Sequence, residues 1–364
     1  MLFFSRLFKL PNMTQKRISQ KDIAESLNVS VATVSKALRG DYDDIPQETR
    51  DKVLNMATKL GYETGTRLRQ KFDFEIETKP CMVGVFILRK THEWQHTSYF
   101  AGMTEKCAKM NVSLIMHYVN QDSCWQILDA AQQPPALRDG QLGGLILVNN
   151  WPASIAQKLA ASLPCVSIQN DYPNMDCIGV DDSQGISQLV EHLVNQGHER
   201  IGFFGRCGSI HYARNRFAMY VNALCRLGLA FEPENICDLS PAVLEDKEFD
   251  VNKEIEHITR RVYSGVTAWI CASDWVGYLL CRGLLNRGLR IPADVSVTGF
   301  DNSEDNTLGC PKLTSISVPA LRIGAEALRR LLSRIRHPNS PPLKVMLPCR
   351  LFEAQTTSAA PTER

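Results

Sequence analysis

From Cys81 onward the chain alternates apolar runs of strand length with amphipathic stretches of helix length. Strand character is found in Met82–Leu88, Val112–Tyr118, Gly144–Val148, Cys165–Ile168, Ile201–Gly205, Ala268–Cys271 and Val295–Gly299. Helical stretches lie near 98–110, 123–131, 153–162, 183–196, 213–227, 274–287 and 320–335. Repeated strand–helix units build a parallel sheet covered by helices on both faces. Their number suits two sheets rather than one, so the pattern predicts an α/β body of two lobes. Ligands of such sheets bind beyond the carboxyl ends of the strands. The cleft between the lobes is therefore the expected site.

Residues 18–60 follow a different, wholly helical pattern. Ser19 with Asp22 three residues on forms a capping box for a first helix, Gln20 to Leu27, whose apolar face is Ile23, Ala24 and Leu27. Asn28-Val29 makes a turn, and Ser30 caps a second helix from Val31 to about Leu38. A third helix starts near Pro46, buries Val53, Met56, Ala57 and Leu60, and ends at Gly61. Two short helices joined by a tight turn make a helix-turn-helix. In that motif the second helix enters the major groove of DNA, N-terminal residues first. Residues 62–80 are polar and aperiodic and read as a linker.

The chain of 364 residues is too long for one ordinary core. Its net charge of +2 excludes nothing, because a DNA-binding segment need only be basic locally. The 12 cysteines form no C-x-x-C pair and no zinc spacing. Cys165, Cys271 and Cys281 sit singly in apolar segments, as small buried hydrophobes of a reducing, cytoplasmic compartment. No run is long enough to span a membrane. The apolar start, Met1 to Leu10, is broken by Arg6 and Lys9 and lacks a cleavage site, so it does not read as a signal peptide. Either it is a short extension or translation begins at Met13.

The headpiece strings are specific. Asp22-Ile23-Ala24, Val29-Ser30-Val31-Ala32-Thr33-Val34-Ser35, Glu48-Thr49-Arg50-Asp51-Lys52-Val53 and Leu60-Gly61-Tyr62 occur in that order. The body adds Gly197-His198-Glu199-Arg200-Ile201, the run Pro292 to Asp301, and Pro311-Lys312-Leu313-Thr314-Ser315-Ile316. Together these resemble the LacI/GalR family of bacterial transcription regulators, from about Ile18 to Pro348. The resemblance implies a helix-turn-helix headpiece (17–61), a hinge (62–80) and a body like periplasmic sugar-binding proteins (81–355). It also implies assembly as a homodimer or homotetramer on operator DNA. Lobe 1 is expected at about 81–196 and 319–346, and lobe 2 at about 197–317 and 347–355. Residues 1–16 form an extension and 356–364 a tail.

The resemblance places base contacts at Val31, Ala32 and Lys36. Val31 and Ala32 offer apolar contact to a thymine methyl, and Lys36 can donate to guanine. Lysine is a point charge where an arginine would give a bidentate fork. Ser19, Ser30, Thr33 and Ser35 suit phosphate oxygens or act only as caps. Arg39, with Lys16, Arg17 and Arg50, adds local positive charge. The hinge departs from the family pattern. Lys71 falls where a leucine usually wedges into the minor groove, and Leu68 lies one turn earlier. Either Leu68 is a shifted wedge, or the hinge binds by charge.

For the body, the resemblance implies that Arg216, Asp301, Asp274 and Ser273 line the pocket. Arg216 and Asp301 are expected on opposite walls, suited to vicinal hydroxyls of a sugar. The competing reading is a structural ion pair. Trp94 either stacks on a sugar face or packs the lobe edge. Gln184 is expected at the cleft edge. His92 and His96 lack a carboxylate frame for a metal, and neither a metal nor a cofactor is expected. A transport receptor would explain the body but not residues 18–60. An enzyme would need a nucleophile elbow, P-loop or dinucleotide glycine pattern, and none is present. The expected partners are double-stranded operator DNA and a sugar-like effector, with no membrane.

Overall fold

The structure, a computed structural model, describes residues 19–39, 45–46, 49, 52–53, 56, 81–89, 97–239, 251–303 and 309–361. The chain divides into two compact units, Met1–Glu75 and Ile76–Arg364. The hinge and the side chain of Arg39 lie outside what is described, as do Leu68, Trp94, His92 and His96.

In the first unit, α1 (Gln20–Leu27) begins at the expected capping box. The backbone N–H of Ser19 donates to Asp22 Oδ2 at 2.6 Å, and that of Asp22 donates to Ser19 Oγ at 3.3 Å. Asn28 ends the helix with φ +52°, a left-handed cap that asparagine tolerates. Ser30 Oγ then accepts the N–H of Thr33 at 3.0 Å and opens α2 (Val31–Arg39). Ile23, Ala24, Val34, Ala37, Ile45 and Val53 form one small core, with Leu27, Val29 and Met56 against it.

The second unit carries the two parallel sheets. The first has the order β11-β5-β4-β3-β1-β2. It is built from β1 (Cys81–Arg89), β2 (Val112–Asn120), β3 (Gly144–Val148), β4 (Cys165–Ile168), β5 (Asp176–Val180) and β11 (Lys344–Leu347). Helices α3 (Thr97–Met110), α4 (Pro135–Arg138) and α5 (Ala153–Ser162) connect its strands. The second sheet has the order β7-β6-β8-β9, from β6 (Ile201–Arg206), β7 (Ile236–Asp238), β8 (Ala268–Cys271) and β9 (Ser296–Thr298). With it go α6 (Asp182–Asn195), α7 (His211–Leu227), α8 (Asn252–Tyr263) and α9 (Asp274–Leu285). β10 (Ser315–Ser317) pairs antiparallel with β12 (Arg350–Phe352), and α10 (Ala320–Arg336) returns to the first sheet.

Three expectations shift. First, α6 packs on α7 and reaches β8, β10 and β12, so the chain crosses to the second lobe near Asp181 rather than after Gln196. Second, residues 356–360 do not hang free as a tail. Thr356 is fully buried: its carbonyl accepts the Val297 N–H at 2.8 Å, and its hydroxyl donates to Val297 O at 2.6 Å. His198 supports the same strap. Its Nε2 lies 3.0 Å from Ser358 O, which can only accept, so Nε2 donates and Nδ1 accepts from the Thr267 hydroxyl at 2.8 Å. Third, α8 was not legible among the helical stretches, although Ile255, Ile258 and Val262 give it a buried stripe.

The crossovers are braced. The N–H of Asp181 donates to Leu347 O at 2.9 Å. Gln184 Oε1 accepts the Cys349 N–H at 2.9 Å, and Gln188 Oε1 accepts the Leu351 N–H at 2.8 Å. In the first lobe α10 crosses α3 so closely that glycine is obligatory on both. A Cβ on Gly102 would fall 1.9 Å from Leu321 O, and one on Gly324 would fall 2.0 Å from Tyr99 O. Asp176, buried at the start of β5, ties the same helix down through Arg330 at 2.9 Å and Arg334 at 2.8 Å.

Gly324→Ala is therefore expected to cost about 3 kcal/mol, since neither partner is a movable side chain; urea unfolding of the full chain measures it. Burial also lowers the pKa of both His192 and His198 from 6.5. Both are neutral when folded and take up protons more readily when unfolded. Their contribution is complete above about pH 6.5 and is lost as pH falls below it. Thermal unfolding should show this decline, and the His198→Gln chain a shallower one.

Candidate functional site

On the headpiece, α2 turns Val34 and Ala37 into the core and leaves Val31 (45% exposed) and Ala32 on the outer surface. Ser35 and Lys36 are half-buried on the flanks. Ser19 and Ser30 both act as caps, so their hydroxyls sit among the free N–H groups of two helix N-termini. Such ends attract anions.

In the body, the site grows from the carboxyl ends of the second sheet. Arg216 lies on the second turn of α7, its side chain 4% exposed. Its Nε donates to Asp182 Oδ1 at 2.9 Å, Nη1 to Ala272 O at 2.7 Å, and Nη2 to Asp301 Oδ1 at 3.3 Å. The guanidinium lies 3.6 Å from the centre of the Phe300 ring. Burial opposes its charge, but Asp301 and Asp182 outweigh burial and raise its pKa well above the usual arginine value. Asn215 Nδ2 donates to the other Asp182 oxygen at 2.8 Å.

Asp301 has φ +119°, a conformation that costs an L residue free energy unless its surroundings impose it. Here they do. Its N–H donates to Ile316 O at 2.9 Å and its carboxylate meets Arg216. Behind it, buried Asp274 accepts from Ser303 N–H at 2.6 Å and from Ser315 Oγ at 2.5 Å. Burial raises the pKa of Asp274, partly offset by those hydrogen bonds and by Arg216. Gly299 must be glycine beside it, since a Cβ would lie 2.1 Å from Asp274 Oδ1.

The sequence reading is thus corrected in its geometry. Arg216 and Asp301 stand on one wall and bond to each other, rather than facing across the cleft. Ser273 is the cap of α9, and Asp274 ties Ser303 to Ser315. Gln184 turns to the crossover. Asp182 was missed, although the Asp181-Asp182 pair ahead of a helix was a readable sign.

The first-lobe wall was also missed. Among the described residues, amides gather there at the ends of β3 and β4. Asn149 (φ +72°) and Gln169 (φ +67°) take left-handed conformations there. Asn170 Nδ2 donates to Asn149 O at 2.8 Å, and Asn150 Nδ2 reaches across the cleft to Ser209 O at 3.3 Å. Among the described residues no cluster of His, Cys, Asp or Glu suits a metal, and no helix is long and apolar enough to cross a membrane.

Residues 19–64 match the family of bacterial regulatory proteins, lacI family, and residues 190–357 match the periplasmic binding protein-like domain. The ribose operon repressor of Haemophilus influenzae is 28% identical over 328 residues, covering 88% of this chain and 93% of its own. The transcriptional repressor CytR of Escherichia coli K12 is 25% identical over 350 residues, covering 94% and 97%. The lac repressor dimer bound to operator and the anti-inducer ONPF shares the fold, with a TM-score of 0.63, 23% identity, and coverage of 94% of this chain and 100% of that one.

Removing one carboxylate of the network leaves a buried guanidinium undercompensated, which costs about 3 kcal/mol or more. Asp182→Ala should show that loss in chemical denaturation. Asp182→Asn, which retains an acceptor, should lose less.

Proposed function

The chain belongs to the lacI family of bacterial regulatory proteins, and on that premise we propose that it is a ligand-responsive transcriptional repressor of carbohydrate-utilisation genes. It binds a palindromic operator as a dimer, with α2 of each headpiece in the major groove, and a sugar-like molecule in the cleft sets its affinity for DNA. It acts in the cytoplasm and catalyses no reaction.

The observation that carries this reading is the build of α2. Its capped N-terminus, buried Val34 and Ala37, and outward Val31 and Ala32 are what a groove-reading helix requires. Val31 and Ala32 meet a thymine methyl, and Lys36 donates to a guanine. Ser19, Ser30, Thr33 and Ser35 hold phosphates, with Arg39 adding charge. Leu68 is the hinge residue that enters the minor groove.

In the body, Arg216 and Asp301 receive the ligand, with Ser273 and Asp274 holding that wall, Gln184 at the cleft edge beside the crossover and Trp94 at the rim. Closing the cleft changes the angle between the lobes, which changes how the two headpieces of a dimer meet their half-sites. Couplings of this kind amount to about 1–3 kcal/mol, or roughly 5–150-fold in affinity.

Operator fragments selected from random DNA by the full chain test the reading. Lys36→Ala should cost about 1–3 kcal/mol and relax the preference at one guanine per half-site. Thr33→Ala should weaken all sequences alike. Leu68→Ala should reduce both affinity and bend angle in gel shifts; no change in either removes the wedge. Binding without salt dependence would count against the whole proposal.

A further inference from the structure

We propose that residues 354–360 form a pH-sensitive clip, which detaches in mild acid while the rest of the body stays folded and thereby loosens the edge that carries Asp301. The strap is held by hydrogen bonds rather than by burial. Within it only Thr356 is buried. Gln355, Ser358 and Ala360 donate their N–H groups to Lys312 O at 2.9 Å, Ser296 Oγ at 3.2 Å and Gln196 O at 2.8 Å. Segments with few buried apolar contacts open at a lower free energy than the core beneath them.

Two histidines close the clip. Buried His198, as a neutral ring, donates from Nε2 to Ser358 O and accepts at Nδ1 from Thr267. His192, half-buried on the last turn of α6, places Nε2 3.0 Å from Thr357 Oγ1, which lies 2.9 Å from Thr314 Oγ1. Burial disfavours a charge on either ring, and a charge on His192 further disfavours one on His198. Glu353 opposes this at His192, and the Ser358 carbonyl at His198. Other charges on the surrounding elements are engaged: Glu191 with Arg226, Arg200 with Glu232, Asp294 with Arg290, and Lys312 over the Phe352 ring. Glu199 is exposed. With the strap in place both rings are therefore neutral. Once released they meet water, return toward their ordinary value of 6.5 and take up protons, so acid favours the released form.

The strap holds two segments in register. Thr356 Oγ1 accepts the Thr314 N–H at 2.9 Å, and Thr356 O accepts the Val297 N–H at 2.8 Å. From there Thr314 O accepts the Gly299 N–H and Ile316 O the Asp301 N–H, each at 2.9 Å. Ser315 Oγ donates to Asp274 beside them. Release of the strap removes the outer support of both 296–301 and 314–317, the segments between which Asp301 is set.

Hydrogen–deuterium exchange of the full chain tests the clip, with wild type compared against His192→Gln/His198→Gln. Glutamine keeps a donor and an acceptor but takes up no proton. Between about pH 7.5 and about pH 5.5, after correction for intrinsic exchange rates, the wild-type strap amides should lose protection by about 10-fold for each histidine that charges on release. Residues 296–301 should lose less, and β6 and β8 nothing. The double variant should keep its strap protected at both pH values. His198→Gln alone should show a reduced loss, and it stands in if the double variant does not fold. A wild-type strap equally protected at both pH values overturns the proposal. So does a strap lost together with β6 and β8, which is unfolding of the whole body. Acid release that is undiminished in the histidine variants overturns the role of the two rings. Release with no loss at 296–301 overturns the coupling to the Asp301 edge.

Discussion

Arg216 draws three separated segments of chain to one point: the start of α6 through Asp182, the end of β8 through Ala272 O, and the turn after β9 through Asp301. A buried ionic cluster of this kind adds little net stability over apolar packing. Its contribution is geometrical. Each partner lies where the chain leaves a strand or enters a helix, so the guanidinium fixes the edge at the carboxyl ends of the second sheet. Asp274 repeats the device one layer deeper, holding Ser303 and Ser315. The network is thus complete in the chain alone, which reduces the ordering that the proposed ligand binding would impose.

The headpiece solves a different problem with the same economy. Among the described residues six are buried in its core, and two serine caps hold the N-terminal ends of its first two helices. The outward residues of α2, Val31 and Ala32, are apolar, so the groove contact proposed for this helix is one of shape and methyl groups more than of hydrogen-bond patterns.

Much of this was legible in the sequence, for reasons particular to each element. The helix caps were readable because Ser19–Asp22 and Ser30–Thr33 act over three residues. The two sheets were readable because their central strands are buried on both faces and so appear as continuous apolar runs. β5, β7, β10, β11 and β12 were not, being short or marginal, with exposure that depends on neighbours far along the chain. The long-range pairings were illegible for the same reason. Nothing local shows that Arg216 meets Asp301 at 85 residues' separation, that Gln184 meets Cys349 at 165, or that Thr356 closes on Val297 at 59. Family likeness supplied the names of pocket residues but not their arrangement, which is why Asp182 and the amide wall emerged only from the folded chain.

Gln184 and Gln188 sit one turn apart on α6, and each holds a backbone N–H of the third crossover. With Asp181 bonded to Leu347 just before them, the unbraced length of that connection shrinks to a residue or two. Both amide grips lie on the second-lobe side and hold the strand that follows the crossover against α6. The connection is thus a short span with its second-lobe end fixed, so any change of angle between the lobes must be taken up within very few residues.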